Sequence, residues 1–290
     1  MQYHLFADDT QMYVQCTIQD IPVSINRLTI CIDELSQSYA SHRLQLNASK
    51  TEFIWFGSRA TLARIPAPYR SLSVGSSVVL SCNVVRDLGV LLDSELSMKQ
   101  HVNKVASICY YHLRRLRQLR CVVSQATMAQ LVTSLVLSRL DYCNSVLVNL
   151  PASTTAPLQR VQNAAARLVL GLDRREHITP ALKQLHWLPI NYRIKFKIAT
   201  LVHNVLHGRC PPYLSDLINF AAADAGRRGL RSSSSGAAVL QRTRTKFGNR
   251  AFSVSGPAIW NSLPPSLRLI DSHSSFRRQL KTHLFSLAFD

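Results

Sequence analysis

Two adjacent carboxylates, Asp8 and Asp9, lie between the runs Tyr3-His4-Leu5-Phe6 and Met12-Tyr13-Val14. The flanking residues are β-prone, so the stretch reads as a hairpin with carboxylates at its tip. Side chains alternate faces along a strand, so neighbouring aspartates share a side only if a turn intervenes. A turn at Asp8-Asp9 would present at least one of them, Asp8 first, to a cation. Unpaired carboxylates between apolar strands are costly unless solvated or metal-bound. Mg²⁺ is commonly held by one or two carboxylates together with substrate phosphates. Two such ions can activate the attacking oxygen and stabilise the leaving oxygen in nucleotidyl transfer. Aspartate is equally at home in ordinary turns, so the pair alone leaves a metal site and a solvated turn both open.

The composition narrows the classes. The chain has 290 residues, 47% of them hydrophobic, which is enough to bury a core in two or three modules. Its net charge of +18 is uneven: residues 1–56 carry 3 basic and 6 acidic side chains, residues 57–290 carry 31 and 10. An acidic start followed by a strongly basic remainder suits metal chemistry beside a polyanion, or a basic chain whose surface is simply well solvated. The seven cysteines, at 16, 31, 82, 109, 121, 143 and 210, contain no Cys-x-x-Cys, which argues against a disulfide framework or a zinc knuckle and for a reducing cytoplasmic or nuclear compartment. No signal peptide is visible at the start of the sequence. The most apolar stretch, Leu131 to Leu150, is interrupted by Arg139 and Asp141, so a buried helix is expected there and not a membrane span.

The elements that must position these groups follow from periodicity. Asp20 and Pro22 open a helix whose apolar positions Ile25, Leu28, Ile32, Leu35 and Tyr39 share one face, ending near Ser41. Leu44-Gln45-Leu46 and Thr51 to Phe56 read as strands. Residues 58–84 read as a loop with a short hairpin around Val78 to Leu80. A strand is expected around Leu88-Gly89-Val90-Leu91. Met98 to Arg120 is helical, with Val102, Val105, Cys109, Leu113 and Leu116 forming its apolar stripe. Lys104, Arg114, Arg115, Arg117 and Arg120 occupy the remaining faces. Those cations either contact phosphates or form a solvated face.

A second helix is expected over Gln125 to Val136, with an apolar segment on to Leu150. Pro151 and the Ser153-Thr154-Thr155 cluster mark a boundary. Helices follow at about 156–170, 180–186, 192–207 and 212–220, with Thr179 and Asn191 as start signals and Gly208 as a stop. His203 and His207 are four apart, but Asn204 departs from the His-Glu-x-x-His pattern and no metal is assigned. Trp187 and Tyr192 suit either the core or base stacking. Residues 226–236 read as a flexible basic linker carrying Arg227, Arg228 and Arg231. Trp260 lies in a Gly/Pro-punctuated segment, and a closing helix places Phe276, Leu280, His283, Leu284 and Leu287 along one side.

Several segments in order carry more information than the Asp pair. They are Phe6-Ala7-Asp8-Asp9, Leu46-Asn47-Ala48-Ser49-Lys50-Thr51-Glu52, Asp87-Leu88-Gly89-Val90-Leu91-Leu92-Asp93 and Leu140-Asp141-Tyr142-Cys143-Asn144, then Leu158-Gln159-Arg160-Val161-Gln162-Asn163-Ala164-Ala165 and Gly256-Pro257-Ala258-Ile259-Trp260-Asn261-Ser262-Leu263-Pro264. Across nearly the whole chain they resemble the reverse transcriptases of non-LTR (LINE-type) retrotransposons.

The resemblance implies an α+β fold: a partial polymerase palm of hairpin, helix and strands over 1–96, then thumb-like helices over 97–150. A helical bundle over 151–225 and a basic C-terminal region over 226–290 would complete it. It implies RNA-directed DNA polymerase activity by two-metal nucleotidyl transfer, with Asp8 and Asp9 as Mg²⁺ or Mn²⁺ ligands in the complete polymerase. Lys50 would be a candidate proton donor to pyrophosphate, or merely a solvated lysine. Leu88 and Gly89 would belong to the hairpin that grips the primer, or to a plain core strand. Lys104, Arg114, Arg115, Arg117, Arg120, Arg227, Arg228 and Arg231 would contact an RNA template and DNA primer, with no membrane involved. In the family, fingers, earlier palm strands and another metal-binding aspartate precede this hairpin. Only five residues precede Phe6 here, so the chain alone is expected to be incomplete and inactive. Two other readings stay open: a non-catalytic basic nucleic-acid-binding protein and a helical protein-interaction module.

Overall fold

The computed structural model describes residues 1–221 and 236–290. The protein is mixed α+β and divides into two compact units, Met1–His101 and Val102–Asp290. No helix among the described residues is long and apolar enough to cross a membrane.

The first unit opens with an antiparallel hairpin, β1 (Gln2–Phe6) and β2 (Asp9–Tyr13). Helix α1 (Ile21–Ser41) follows with the expected bounds. Its N-cap Asp20 makes no capping bond; the carboxylate instead accepts from the Thr17 hydroxyl at 2.6 Å. The apolar face buries Leu28 and Ile32 against Phe53, Leu72 and Val74, with Met12, Ile25, Leu46 and Trp55 half-buried around them. Full burial of one such side chain contributes about 1.5–3 kcal/mol.

The strands differ from expectation in several places. Leu44-Gln45-Leu46 is irregular, and the second stretch shrinks to β3 (Phe53–Ile54). The segment read as loop contains α2 (Arg59–Ala63), capped by the Ser58 hydroxyl, and a 3₁₀ turn at Ala67–Arg70. The hairpin expected there is real, but its turn is at Gly75-Ser76. Its strands are β4 (Ser71–Val74) and β5 (Ser77–Cys82), and β3 pairs parallel to β5 on its other edge. Gly75 supplies the positive φ (57°) that this two-residue turn requires.

Leu88 and Gly89 are not in a strand. They form the turn between β6 (Val84–Asp87) and β7 (Val90–Asp93), both with positive φ (43° and 85°), the conformation of a type I′ hairpin turn. A β-prone run is thus split by one glycine. At the end of β7 the buried Asp93 carboxylate accepts the backbone N–H of Ser97 and of Met98, each at 2.8 Å, and so fixes the entry to the next helix.

That helix is α3 (Lys99–Leu119). Within the second unit it buries Val102, Ala106, Cys109, Leu113 and Leu116, spaced alternately by four and three. Burial pushes the Cys109 thiol up to about 11. The helix expected to begin at Gln125 runs as α4 (Gln125–Val132), a π turn over Thr133–Leu137, and α5 (Ser138–Asp141). Ser153, Thr154 and Thr155 fall in the first turns of α6 (Ala152–Leu170), which packs against α4.

Helix α7 (Ile178–Gln184) and helix α8 (Ile190–Leu206) each begin one or two residues before the expected caps. The first N–H of α8 is received by the Gln159 side chain of α6 at 2.9 Å, a cap supplied from 31 residues away. Helix α9 stops at Ser215 (Pro212–Ser215), well short of residue 220. Helices α10 (Phe252–Asn261), α11 (Pro265–Arg268) and α12 (His273–Phe289) complete the unit. On α12, Phe276, Leu280 and Leu284 are buried, whereas Leu287 is exposed and its carbonyl accepts the Tyr192 hydroxyl at 2.7 Å. Trp260 is fully buried and its indole N–H donates to the Gly236 carbonyl at 2.7 Å. Trp187 is buried too.

His203 sits at the centre of this packing. It is fully buried, stacks on Phe276 at 4.2 Å, and its Nε2–H donates to the Ile270 carbonyl at 2.8 Å. Burial lowers its pKa to about 4, helped by the neighbouring His207, His273 and Arg209 and opposed by the Ile270 bond. An unfolded histidine titrates near 6.5. Below that pH the unfolded chain takes the proton more readily, so stability present above 6.5 is lost as the pH falls toward 4. The midpoint of thermal unfolding should therefore drop across this window, and His203→Phe should remove part of the drop. An unchanged pH dependence in that variant would show that His203 does not titrate on unfolding.

Candidate functional site

The hairpin tip is set by strand register. Phe6 pairs with Asp9 and Leu5 with Thr10, which leaves Ala7 and Asp8 as the two turn residues. The turn is thus one position earlier than the sequence suggests: Asp8 lies in it, and Asp9 is the first residue of β2. Ala7 has positive φ (54°) and Asp8 does not, the pattern of a type II′ turn, which normally takes glycine at the first position. Both carboxylates are exposed.

Below the tip, alternation divides the side chains of β2 between two faces. Thr10 and Met12 point to α1: the Thr10 hydroxyl meets the Tyr39 hydroxyl at 3.1 Å, and Met12 packs against the core. Asp9 and Gln11 share the opposite face, where the Gln11 amide donates to the Asp87 carboxylate at the end of β6. The tip is therefore braced from both sides. Gln11 and Asp87 were not foreseen from sequence; they are 76 residues apart and carry no local signal. Glu52 makes a similar bridge, accepting the Arg86 backbone N–H at 3.2 Å.

Lys50 is exposed in a turn over residues 48–50, closed by the Thr51 N–H donating to the Asn47 carbonyl at 3.1 Å. It does not lie between two strands, because the preceding one does not form. Leu88 and Gly89 occupy the β6–β7 turn, next to Asp87 in sequence. Among the described residues no group of three or more His, Cys, Asp or Glu side chains converges in a way that could hold a metal ion. Asp8 and Asp9 offer the hard oxygen donors that Mg²⁺ takes, but as a partial set.

The second feature is the polar face of α3. Lys104, Arg114, Arg115 and Arg117 are exposed, and the helix contains no acidic residue. Among the described residues no carboxylate lies within 4 Å of any of them. Tyr110 and Tyr111 are exposed between them, at 39% and 51%. Both tyrosines lie off the apolar stripe of α3, which is the signal in the sequence for their exposure. Cations interleaved with exposed aromatics can contact phosphates and stack on bases.

Arg120 behaves differently. A Cβ built on Gly171 would come 1.7 Å from its guanidinium, so Arg120 covers the end of α6, where Gly171 (φ 74°) closes the helix. Arg227, Arg228 and Arg231 lie outside the described residues. His203 and His207, 4.3 Å apart ring to ring, are part of the packing. Tyr192 is half-buried under the Lys195 ammonium, 5.2 Å from its ring.

No protein-family model, no curated protein and no solved structure matches the chain.

Two outcomes follow from this geometry. Ala7→Gly should stabilise the hairpin unit by up to about 1 kcal/mol, because glycine removes the steric cost of positive φ; a lower unfolding free energy would contradict the turn described. Replacing Arg114, Arg115 and Arg117 by Gln should reduce the slope of log affinity against log salt, for single-stranded RNA or duplex DNA, by roughly 2 to 3. A slope equal to that of the unmodified chain would remove α3 from the binding surface.

Proposed function

We propose that this chain is the C-terminal part of an RNA-directed DNA polymerase of the non-LTR retrotransposon type. The reading is supported by the order of the resembling segments along the sequence. The single observation that carries it is the presentation of Asp8 and Asp9: exposed carboxylates in a two-residue turn and at the first position of the strand after it, braced by Thr10–Tyr39 on one face and Gln11–Asp87 on the other. In the complete polymerase Asp8 and Asp9 are Mg²⁺ or Mn²⁺ ligands, and the remaining ligands come from outside the described residues. The metal, when bound, supplies Lewis-acid stabilisation of charge on phosphoryl oxygens. This chain's own residues hold the tip in place. Lys50 is the proposed proton donor to pyrophosphate, and the β6–β7 turn with Leu88 and Gly89 is the proposed primer-contacting hairpin. The partners are an RNA template and a DNA primer, and the setting is the cytoplasm or nucleus.

A second reading has its own observation. The α3 face, which has no carboxylate partner among the described residues and carries exposed tyrosines, suits binding of nucleic acid without catalysis. In that reading the α3 arginines matter and Asp8 does not.

Primer extension on an RNA template separates the two. The 290 residues alone should give no extension with Mg²⁺ or Mn²⁺. A chain in which these residues follow a complete palm and fingers of the same polymerase type should extend, and Asp8→Ala should lower its rate by roughly a thousandfold or more, since metal stabilisation contributes several kcal/mol. Extension undiminished by Asp8→Ala would remove the metal role of Asp8 and leave the binding reading and that of a helical protein-interaction module.

A further inference from the structure

The second unit contains a cavity of about 530 Å³ that neither reading above uses. Its size falls within the range of small-molecule sites. One wall comes from the π turn, through Thr133 and Leu137, and from α5. A π turn inserted into an α-helix is rare and frequently marks functional sites.

Two other walls are cationic. Helix α8 contributes Arg193 and Lys197, and α12 contributes Arg277 and Lys281, each pair four residues apart and so on one helical face. The two helices pack together, with the Arg277 guanidinium 5.9 Å from the Phe196 ring centroid. Arg193 is neutralised, since it pairs with Asp141 at 2.5 Å and donates to the Leu188 carbonyl at 3.0 Å. Lys197, Arg277 and Lys281 are exposed and, among the described residues, have no carboxylate within 4 Å. Three like charges around one opening are mutually repulsive, and an anion would relieve that.

The rest of the lining is neither charged nor uniformly apolar. Trp187 and Phe196 bring aromatic rings to the lining. Asn144 is 3% exposed, and its amide oxygen has no hydrogen-bond partner. Its Nδ2 donates to Asp141 at 3.4 Å, so the free group is the acceptor. A buried acceptor left without a partner is destabilising, and a ligand N–H would satisfy it.

The geometry points to a nucleotide site. A nucleoside 5′-phosphate, free or as the terminal residue of a single strand, carries the three matching parts. Its phosphate meets Lys197, Arg277 and Lys281. Its base lies against Trp187 or Phe196. An N–H of the base donates to Asn144 Oδ1. The site is independent of the polymerase reading, because it shares no residue with the hairpin or with α3.

Calorimetric titration of the full chain tests this with AMP, GMP, CMP and UMP, with adenosine, with inorganic phosphate, and with a 5′-phosphorylated eight-nucleotide RNA. At least one monophosphate or the oligonucleotide should bind at one site, at least about tenfold more tightly than adenosine or phosphate alone. Lys197→Gln, Arg277→Gln and Lys281→Gln, all at exposed positions, should each weaken it by about tenfold. The variant with Arg114, Arg115 and Arg117 replaced by Gln should retain it, which separates this site from α3. Binding of the monophosphate identifies a free nucleotide as ligand; binding of the oligonucleotide alone, lost in the Lys197 variant, identifies a strand end. Absence of both, or binding indifferent to all three substitutions, overturns the proposal.

Discussion

Helix α8 is buried along its length: Ile190, Ile194, Ile198, Ala199, Val202, His203 and Val205 all lose their contact with solvent. Burying that many groups along one side of a helix calls for largely apolar neighbours there. Helices α6, α10 and α12 pack on it for this reason. The price is polar groups taken out of water at its ends and middle. Gln159 receives the first N–H, and the Ile270 carbonyl receives the His203 ring proton. Of its cations, Arg193 and Lys197 border the cavity, and Lys195 lies over the Tyr192 ring.

In the first unit the equivalent constraint is register. Because the side-chain period of a strand is two, the pairing of Phe6 with Asp9 decides which residues face α1 and which face Asp87. A slip by one residue would turn Met12 out of the core and carry Asp9 toward it. The core contacts of Met12 and the side-chain bonds of Thr10 and Gln11 fix the tip more firmly than the turn itself, which places an alanine where glycine is favoured.

The helices were largely legible because their apolar stripes are strong: Leu28 and Ile32 in α1, and Val102, Cys109, Leu113 and Leu116 in α3, all lie buried as the spacing indicates. The turns were less so. Leu88-Gly89 looked like strand because Leu and Val are β-prone, yet glycine and its neighbour take positive φ. Residues 59–63 form a helix through a Ser58 cap that a serine-rich stretch disguised. For the candidate sites, the residue types at Asp8, Asp9 and along α3 were visible, since exposure follows from position on a period. Gln11–Asp87 and Asn144–Asp141–Arg193 were not, because they depend on segments meeting across 52 to 76 residues. The basic pairs four apart on α8 and α12 stand in the sequence, but only the packing of the two helices brings them together.

The π turn at Thr133–Leu137 has a consequence for how this region can change. A helix advances by about 100° per residue, and a π turn amounts to one residue inserted without breaking the helix. The facing of Asp141, and with it the partner of Arg193, is thus governed by chain length between Val132 and Ser138 more than by side-chain chemistry there. Substitutions within the turn leave that facing alone. Gain or loss of a single codon would swing the whole downstream segment about the axis, so the reading frame's length at this point is itself a structural parameter of the cavity.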